Sequence, residues 1–370
     1  MVLKWVIGKA KACKYFVMQS IIVWGSEVGN TIHDGRIIHI DQLRGIALLL
    51  MILVHAAATW KPSQLHQEHV LAIFVASLGG LAAPLFIFIF GWGIGRSKNT
   101  SFQKNIIRGL VLFFAQFLVN LTVPHLFHPF SPGVLTLIAL LYFFAPIWLY
   151  TINLSFKNIP LWPVICCILL FTPMFITLPD ATWSQRTIPA GVVSWLHLAI
   201  FSGTYPILPW LIFAIIGGCV AQEKTSKINR NYVILSGLIL SLCFFIYALH
   251  FGKTYALPSG EAVLTFFPAN VPFLISSLTG IGLLWVLVLK IPEFTGLINL
   301  GRFTLTYYII HFLPFRFWHD IDEKHTWSMP VSFSVIIIYT ILFWPLSLLH
   351  HRVAPNYSLE AWMKRLSSRQ

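Results

Sequence analysis

Charge is scarce in this chain. Only 10% of its 370 residues are Asp, Glu, Lys or Arg, against about 25% in a soluble domain, so charge cannot coat a water-facing globule of this size. Acidic residues are the scarcer sign, 12 against 25 Lys and Arg. Cysteine is also sparse. Cys13, Cys166, Cys167, Cys219 and Cys243 are an odd number at mostly apolar positions, with neither a CxxC pair nor a Cys/His metal spacing. We read them as packing residues and expect no metal. HExxH and paired-carboxylate motifs are missing too. The one glycine-rich run, Gly91-Trp92-Gly93-Ile94-Gly95, ends an apolar stretch instead of joining a strand to a helix, so it is no nucleotide loop; Gly91 and Gly95 are better suited to close helix packing.

What the chain has in quantity is apolar length. Hydrophobic residues make up 57% and aromatic residues 15%, and the mean hydropathy is +0.77. These values exclude disordered, collagen-like and coiled-coil classes. About 20 apolar residues cross a bilayer as a helix, and ten stretches qualify: 43–59, 70–95, 106–123, 133–152, 159–178, 206–221, 232–251, 271–289, 297–318 and 331–349. The expected fold is all-α, a polytopic bundle of about ten transmembrane helices with both termini cytoplasmic. With the N-terminus inside, only Lys61, Arg186, Lys253, Arg316 and Lys324 of the basic residues fall outside, while the acidic residues divide evenly. That imbalance is the positive-inside pattern. It also accounts for the net charge of +13 without nucleic acid. Residues 1–35 read as a basic N-terminal extension, interfacial in character, and residues 36–370 as one membrane domain.

The first stretch carries the chemistry. In the run from Asp41 through Arg44 to His55, Arg44 and His55 are eleven residues apart. At about 100° and 1.5 Å per residue they share one helical face about 16 Å apart along the axis. Asp41, three residues before Arg44, can hold its guanidinium. Such residues otherwise snorkel to lipid phosphate or tie helices together; the shared face favours a common polar cavity, because an intramembrane ionisable group is expensive unless paired or hydrated. On the ninth stretch, His311 follows Thr304, Tyr307 and Tyr308 by seven, four and three residues, so helical spacing puts three hydroxyls near its face.

Asp41-Gln42-Leu43-Arg44-Gly45-Ile46-Ala47, with His55 ten intervening residues after Arg44, resembles the signature of integral-membrane acyltransferases that modify sugars. Among these, the chain is most similar to bacterial proteins related to heparan-alpha-glucosaminide N-acetyltransferase. Ala82-Ala83-Pro84-Leu85-Phe86, Tyr205-Pro206-Ile207-Leu208-Pro209-Trp210 and Leu300-Gly301-Arg302-Phe303 onward to His311 extend the resemblance from about residue 36 to the C-terminal tail. It implies an acyl-CoA donor, acetyl-CoA in this branch, on the cytoplasmic side and a carbohydrate or glycolipid acceptor opposite. Arg44 and His55 match the family's Arg–His motif. The branch also has a functional His in its first outer loop, for which His69 is the nearest counterpart and His66 lies close by.

The resulting expectation is an O- or N-acetyltransferase of a cell-envelope carbohydrate in the bacterial inner membrane. His55 would act as general base, Tyr308 or His311 would steady the oxyanion, and Arg44, Arg96, Lys98 and Arg302 would hold the donor's phosphates. The rival classes are a transporter or flippase of an anionic lipid or small molecule, disfavoured by the lack of an inverted repeat, and a noncatalytic membrane scaffold.

Overall fold

The computed structural model describes residues 32–33, 36–62, 70–97, 101–176, 181–223 and 227–368. The expected extension, residues 1–35, lies almost wholly outside them. Among the described residues the structure is predominantly helical. In chain order the helices are α1 (Ile38–Thr59), α2 (Val70–Gly79), α3 (Ala82–Arg96), α4 (Phe102–Thr122), α5 (Val134–Phe143), α6 (Ala145–Asn153), α7 (Trp162–Phe171) and α8 (Pro173–Ile176). Then come α9 (Trp183–Thr187), α10 (Val192–His197, continued by a π-turn to Ser202), α11 (Ile207–Ala221), α12 (Lys227–His250), α13 (Val271–Lys290) and α14 (Thr295–Arg302). The last are α15 (Thr304–Ile310), α16 (Leu313–Trp318), α17 (Ile321–Lys324), α18 (Met329–Val353) and α19 (Leu359–Ser368). Among the described residues, three two-residue strand pairs lie between helices or before the first of them.

Among the described residues, six helical segments are long and apolar enough to cross a membrane: Ile38–Thr59, Val70–Arg96, Phe102–Thr122, Arg230–His250, Val271–Lys290 and Met329–Val353. Two bent pairs, α5 with α6 at 70° and α10–π-turn with α11 at 51°, raise this to eight if each crosses as one span. The other two expected stretches take broken forms. Stretch 159–178 is the short α7 followed by α8, and stretch 297–318 is divided among α14, α15 and α16. Several breaks have a visible cause: proline lacks an N–H and clashes with the preceding turn, and Pro146, Pro173, Pro206 and Pro314 all stand at or just before a helix start.

The bundle centres on α1, whose Leu43, Ala47, Leu48, Met51, Ile52 and Ala56 are fully or nearly fully buried. Lipid tails are as apolar as leucine, so helices associate in a membrane by close packing of small residues. A Cβ added at Gly91 would overlap the Ala214 carbonyl, and one at Gly95 would crowd Gly218, so α3 and α11 touch backbone to backbone. Gly45 meets the Leu297 carbonyl and Gly301 meets that of Asp41. These two pairings run in opposite senses, so α14 lies antiparallel on the first half of α1. The chain then reverses at Phe303, and α15 returns along α1 toward His55. Cys166 is buried and Cys167 exposed, both as free thiols, consistent with adjacent helical positions facing different ways.

Candidate functional site: a histidine pair and two pockets on the first helix

His55 and His311 meet. Their imidazoles stack nearly parallel, 8° apart in plane, with His55 Nδ1 2.9 Å from His311 Nε2. His311 Nδ1 lies 3.1 Å from the Tyr307 carbonyl oxygen. A carbonyl can only accept, so His311 Nδ1 carries the proton and donates it there. For a neutral ring, Nε2 of His311 is then the acceptor, and His55 must donate to it from Nδ1. Both tautomers are thereby fixed, and Nε2 of His55 is left with its lone pair. The support is rigid: Tyr339 Oη donates to the His311 carbonyl at 2.6 Å, His311 is completely buried, and Phe312 packs on both imidazoles.

His55 borders a cavity of about 330 Å³. Its walls come from α1 beyond Met51, the α2–α3 corner from Ala76 to Ala83, the start of α13, and three loop or short-helix segments that contribute Phe127, Trp183 and Tyr255–Pro258. Tyr205, Phe266, Phe267 and Phe273 add aromatic faces. Phe267 meets Trp183 edge-on at 5.3 Å, and Phe266 meets Tyr205 edge-on at 5.8 Å. No Asp, Glu, Lys or Arg is among the described residues of the lining.

A second pocket of about 290 Å³ sits at the other end of α1, lined by Ile37, Ile40, Asp41, Arg44, Trp92, Gly93, Arg96 and Ser97. Arg44 Nη1 donates to buried Asp41 at 2.9 Å, while its Nη2 side faces Gly93. Arg96 lies over the Trp92 ring at 5.6 Å. Two guanidiniums, one already oriented by a carboxylate, suit a phosphate-bearing ligand, because the planar fork matches phosphate oxygens.

The structure thus brings Arg44 and Arg96 together at one end of α1, and His55, His311 and Tyr308 at the other. Tyr308 approaches edge-on, its ring 6.4 Å from His55 and 5.6 Å from His311. Arg302 is not among the described residues lining the Arg44 pocket, and its Nε is buried without a hydrogen-bond partner. Lys98, His66 and His69 lie outside the described residues. The hydroxyls of Tyr307 and Thr304 do not reach the His311 cavity: Tyr307 Oη is 3.1 Å from both the Leu346 carbonyl and His350 Nδ1, and Thr304 Oγ1 bonds back to Gly301. Helical spacing sets the direction of a side chain but not its partner: α18 and the preceding turn take these two hydroxyls.

Sequence reasoning missed two contacts. Glu360 on α19 accepts from the backbone N–H groups of Leu305 and Thr306 and from Thr306 Oγ1 at 2.6 Å, which caps the first turn of α15. His125 and His319 stack at 4.7 Å, joining the α4–α5 loop to the end of α16. Burial holds the His125 pKa below its ordinary value, with the neighbouring His319 and Arg316 adding to the effect. No group of three or more His, Cys, Asp or Glu among the described residues is arranged to hold a metal ion.

The family model described as "Heparan-alpha-glucosaminide N-acetyltransferase, catalytic" matches residues 36–245, a span that contains both pockets' α1 and α3 walls. No curated protein matches the chain.

Proposed function

This chain belongs to the heparan-alpha-glucosaminide N-acetyltransferase catalytic family, and on that premise we propose that it carries an acetyl group from acetyl-CoA across the membrane to a hydroxyl or amine of a cell-envelope carbohydrate or glycolipid. It is an integral membrane acetyltransferase. The finer reading rests on one observation above all: the orientation of His55, whose Nε2 lone pair is fixed by the chain His55–His311–Tyr307 carbonyl at the edge of an aromatic cavity.

In this reading residues 36–370 form the catalytic membrane domain and residues 1–35 a basic extension. Ten crossings with both termini in the cytoplasm keep the basic excess inside; the broken stretches 159–178 and 297–318 then count as crossings. The Arg44 pocket faces the cytoplasm. There Arg44 and Arg96 hold the donor's phosphates, with Lys98 and Arg302 as neighbouring cations, and the extended thioester arm follows α1 inward. From the opposite side the acceptor enters the aromatic cavity. His55 takes the acceptor's proton on Nε2 as the nucleophile attacks the thioester carbonyl carbon, then returns it to the departing thiolate. His311 holds the His55 tautomer, a positioning task. Tyr308 is the nearest candidate to steady the oxyanion, and His69 would join the acceptor side. Localisation follows as the bacterial inner membrane.

The test is purified protein in nanodiscs with acetyl-labelled acetyl-CoA and a panel of glycosides and glycolipids. We expect CoA release coupled to acetylated product. Acceptor translocation without any product would assign the protein to transport.

A further inference from the structure

We infer that Trp183 is the platform on which the acceptor's pyranose ring stacks, and so the residue that selects a closed sugar ring over an open-chain polyol. This rests on the reading of the aromatic cavity as the acceptor site and adds a specificity-determining residue to it.

The first ground is how Trp183 is held. It opens α9, a helix of five residues that starts with a capping box between Thr182 and Gln185. The Ser131 hydroxyl donates to the Thr187 carbonyl at 2.6 Å, which ties the far end of α9 to the loop before α5. Arg186 is 1% exposed and donates to the Ala181 and Ser202 carbonyls, which ties α9 to the π-turn before α11. These bonds make a short helix into a rigid mount. The indole is aimed as well as anchored, since its Nε1 donates to the Leu126 carbonyl at 2.9 Å. A tryptophan that only marks a membrane boundary keeps its N–H for water and headgroups. This one turns its N–H to the backbone, and it is the one tryptophan among the described residues of the cavity lining. Phe267 crosses it at 74° and Phe127 at 43°, so neither lies flat on the indole, and 40% of Trp183 stays exposed.

The second ground is polar. Phe267 also meets Tyr205 edge-on at 5.8 Å, so one aromatic wall runs from Trp183 to Tyr205. The Tyr205 hydroxyl makes no hydrogen bond to any of the described residues, although Tyr205 lines the cavity. A hydrocarbon ligand would leave that hydroxyl unpaired, which is unfavourable once water is displaced. A pyranose meets both features, with C–H groups for the indole face and hydroxyls around its rim for Tyr205. An open-chain polyol carries the same hydroxyls but must first freeze its chain to present a flat C–H face. His55 borders the same cavity, so seating the ring on Trp183 limits which of its hydroxyl or amine groups can reach Nε2.

The experiment uses the full chain in nanodiscs with labelled acetyl-CoA. The acceptors are the methyl β-pyranosides of glucose, galactose and glucosamine, each beside its open-chain alditol. We expect Trp183→Leu to raise the KM of each pyranoside used by about three- to tenfold, with kcat and the KM for acetyl-CoA held within about twofold. The alditols should shift by less than about twofold, and Trp183→Phe, which keeps a smaller ring, should fall between Trp183→Leu and the unsubstituted protein. If Trp183→Leu does not fold, the same pyranoside-against-alditol comparison is read from Trp183→Phe. An equal rise for pyranosides and alditols, or no rise in a folded variant, overturns the platform and leaves the acetyltransferase reading standing. Binding of the pyranosides, followed by saturation-transfer NMR, separates the two failures when no product forms. Binding that Trp183→Leu weakens keeps the platform and removes the acetyltransferase reading; no binding by the unsubstituted protein overturns both.

Discussion

At the scale of single residues, labour is divided between a base, His55, and the group that aims it, His311. His311 is completely buried and accepts from His55 through Nε2, so its contribution is the tautomer it imposes. His311→Leu removes that acceptor and lets the His55 ring turn or tautomerise; we expect kcat to fall about 10²-fold with donor KM little changed. His311→Gln can still accept from His55 through its amide oxygen, so it should recover a substantial part of that loss. Equal activities for the two variants would show that hydrogen-bond acceptance by residue 311 is not its role. Arg44 lends itself to a similarly specific test. Arg44→Lys keeps the charge beside Asp41 but loses the fork, and we expect a higher KM for acetyl-CoA with near-normal insertion. An unchanged donor KM in a folded Arg44→Lys protein would remove Arg44 from the donor site. The Asp41–Arg44 pair was legible because both sit on one continuous helix, but the common polar cavity expected for Arg44 and His55 is not what the structure shows: they line separate pockets, since about 16 Å along the axis exceeds the reach of one. The partner of His55 was not legible, because His311 lies 256 residues away and depth in the membrane does not specify contact.

At the scale of elements, α15 depends on the C-terminal helix. Its first-turn N–H groups at Leu305 and Thr306 are satisfied by Glu360, as a capping side chain would do from within the helix. Glu360→Ala should therefore lower stability by about 1–2 kcal/mol, measured as detergent-solubilised unfolding, and should reduce kcat through the His311 position. Glu360→Gln, which keeps acceptance but not charge, should lose less. The stacked pair His125–His319 yields a pH prediction. The folded His125 pKa is lowered, so protonation favours the unfolded or opened form. Its neutral contact is intact above the ordinary histidine value of 6.5 and is lost as pH falls from there through the lowered folded value. Amide protection factors in residues 123–133, taken relative to the intrinsic exchange rate at each pH, should fall on going from pH 7 to pH 5, and the change should be smaller in His125→Gln. Lys324, which bonds to Asp320 at 2.8 Å, holds that exposed carboxyl below its usual range, so Asp320 stays ionised across this interval. The straight run expected over 297–318 failed at Phe303 because the signal for the break is a carboxylate supplied from α19. Hydropathy alone could not distinguish that folded-back segment from a plain span. The π-turn and bend before α11 escaped for a related reason, since Val192–Ser202 is too short to qualify on its own.

At the scale of the whole molecule, the arrangement is a bundle around α1 with an arginine-lined pocket at one end and an aromatic cavity at the other. The membrane class was legible from the scarcity of charge and from the apolar runs, which follow directly from bilayer thickness. The pockets were not, because each is assembled from elements far apart in sequence. Two pockets on opposite ends of one helix suit a reaction whose two substrates never share a compartment. The topology that this requires predicts that cysteines introduced at positions 98 and 125 label from opposite faces in sealed vesicles. Acetyl transfer with His55 as the base is open to one decisive comparison: single-turnover transfer from labelled acetyl-CoA in nanodiscs by the unsubstituted protein and by His55→Gln. We expect transfer by the former and a rate reduced about 10²- to 10⁴-fold in the latter with donor binding retained; equal rates for the two proteins would rule out His55 as the base.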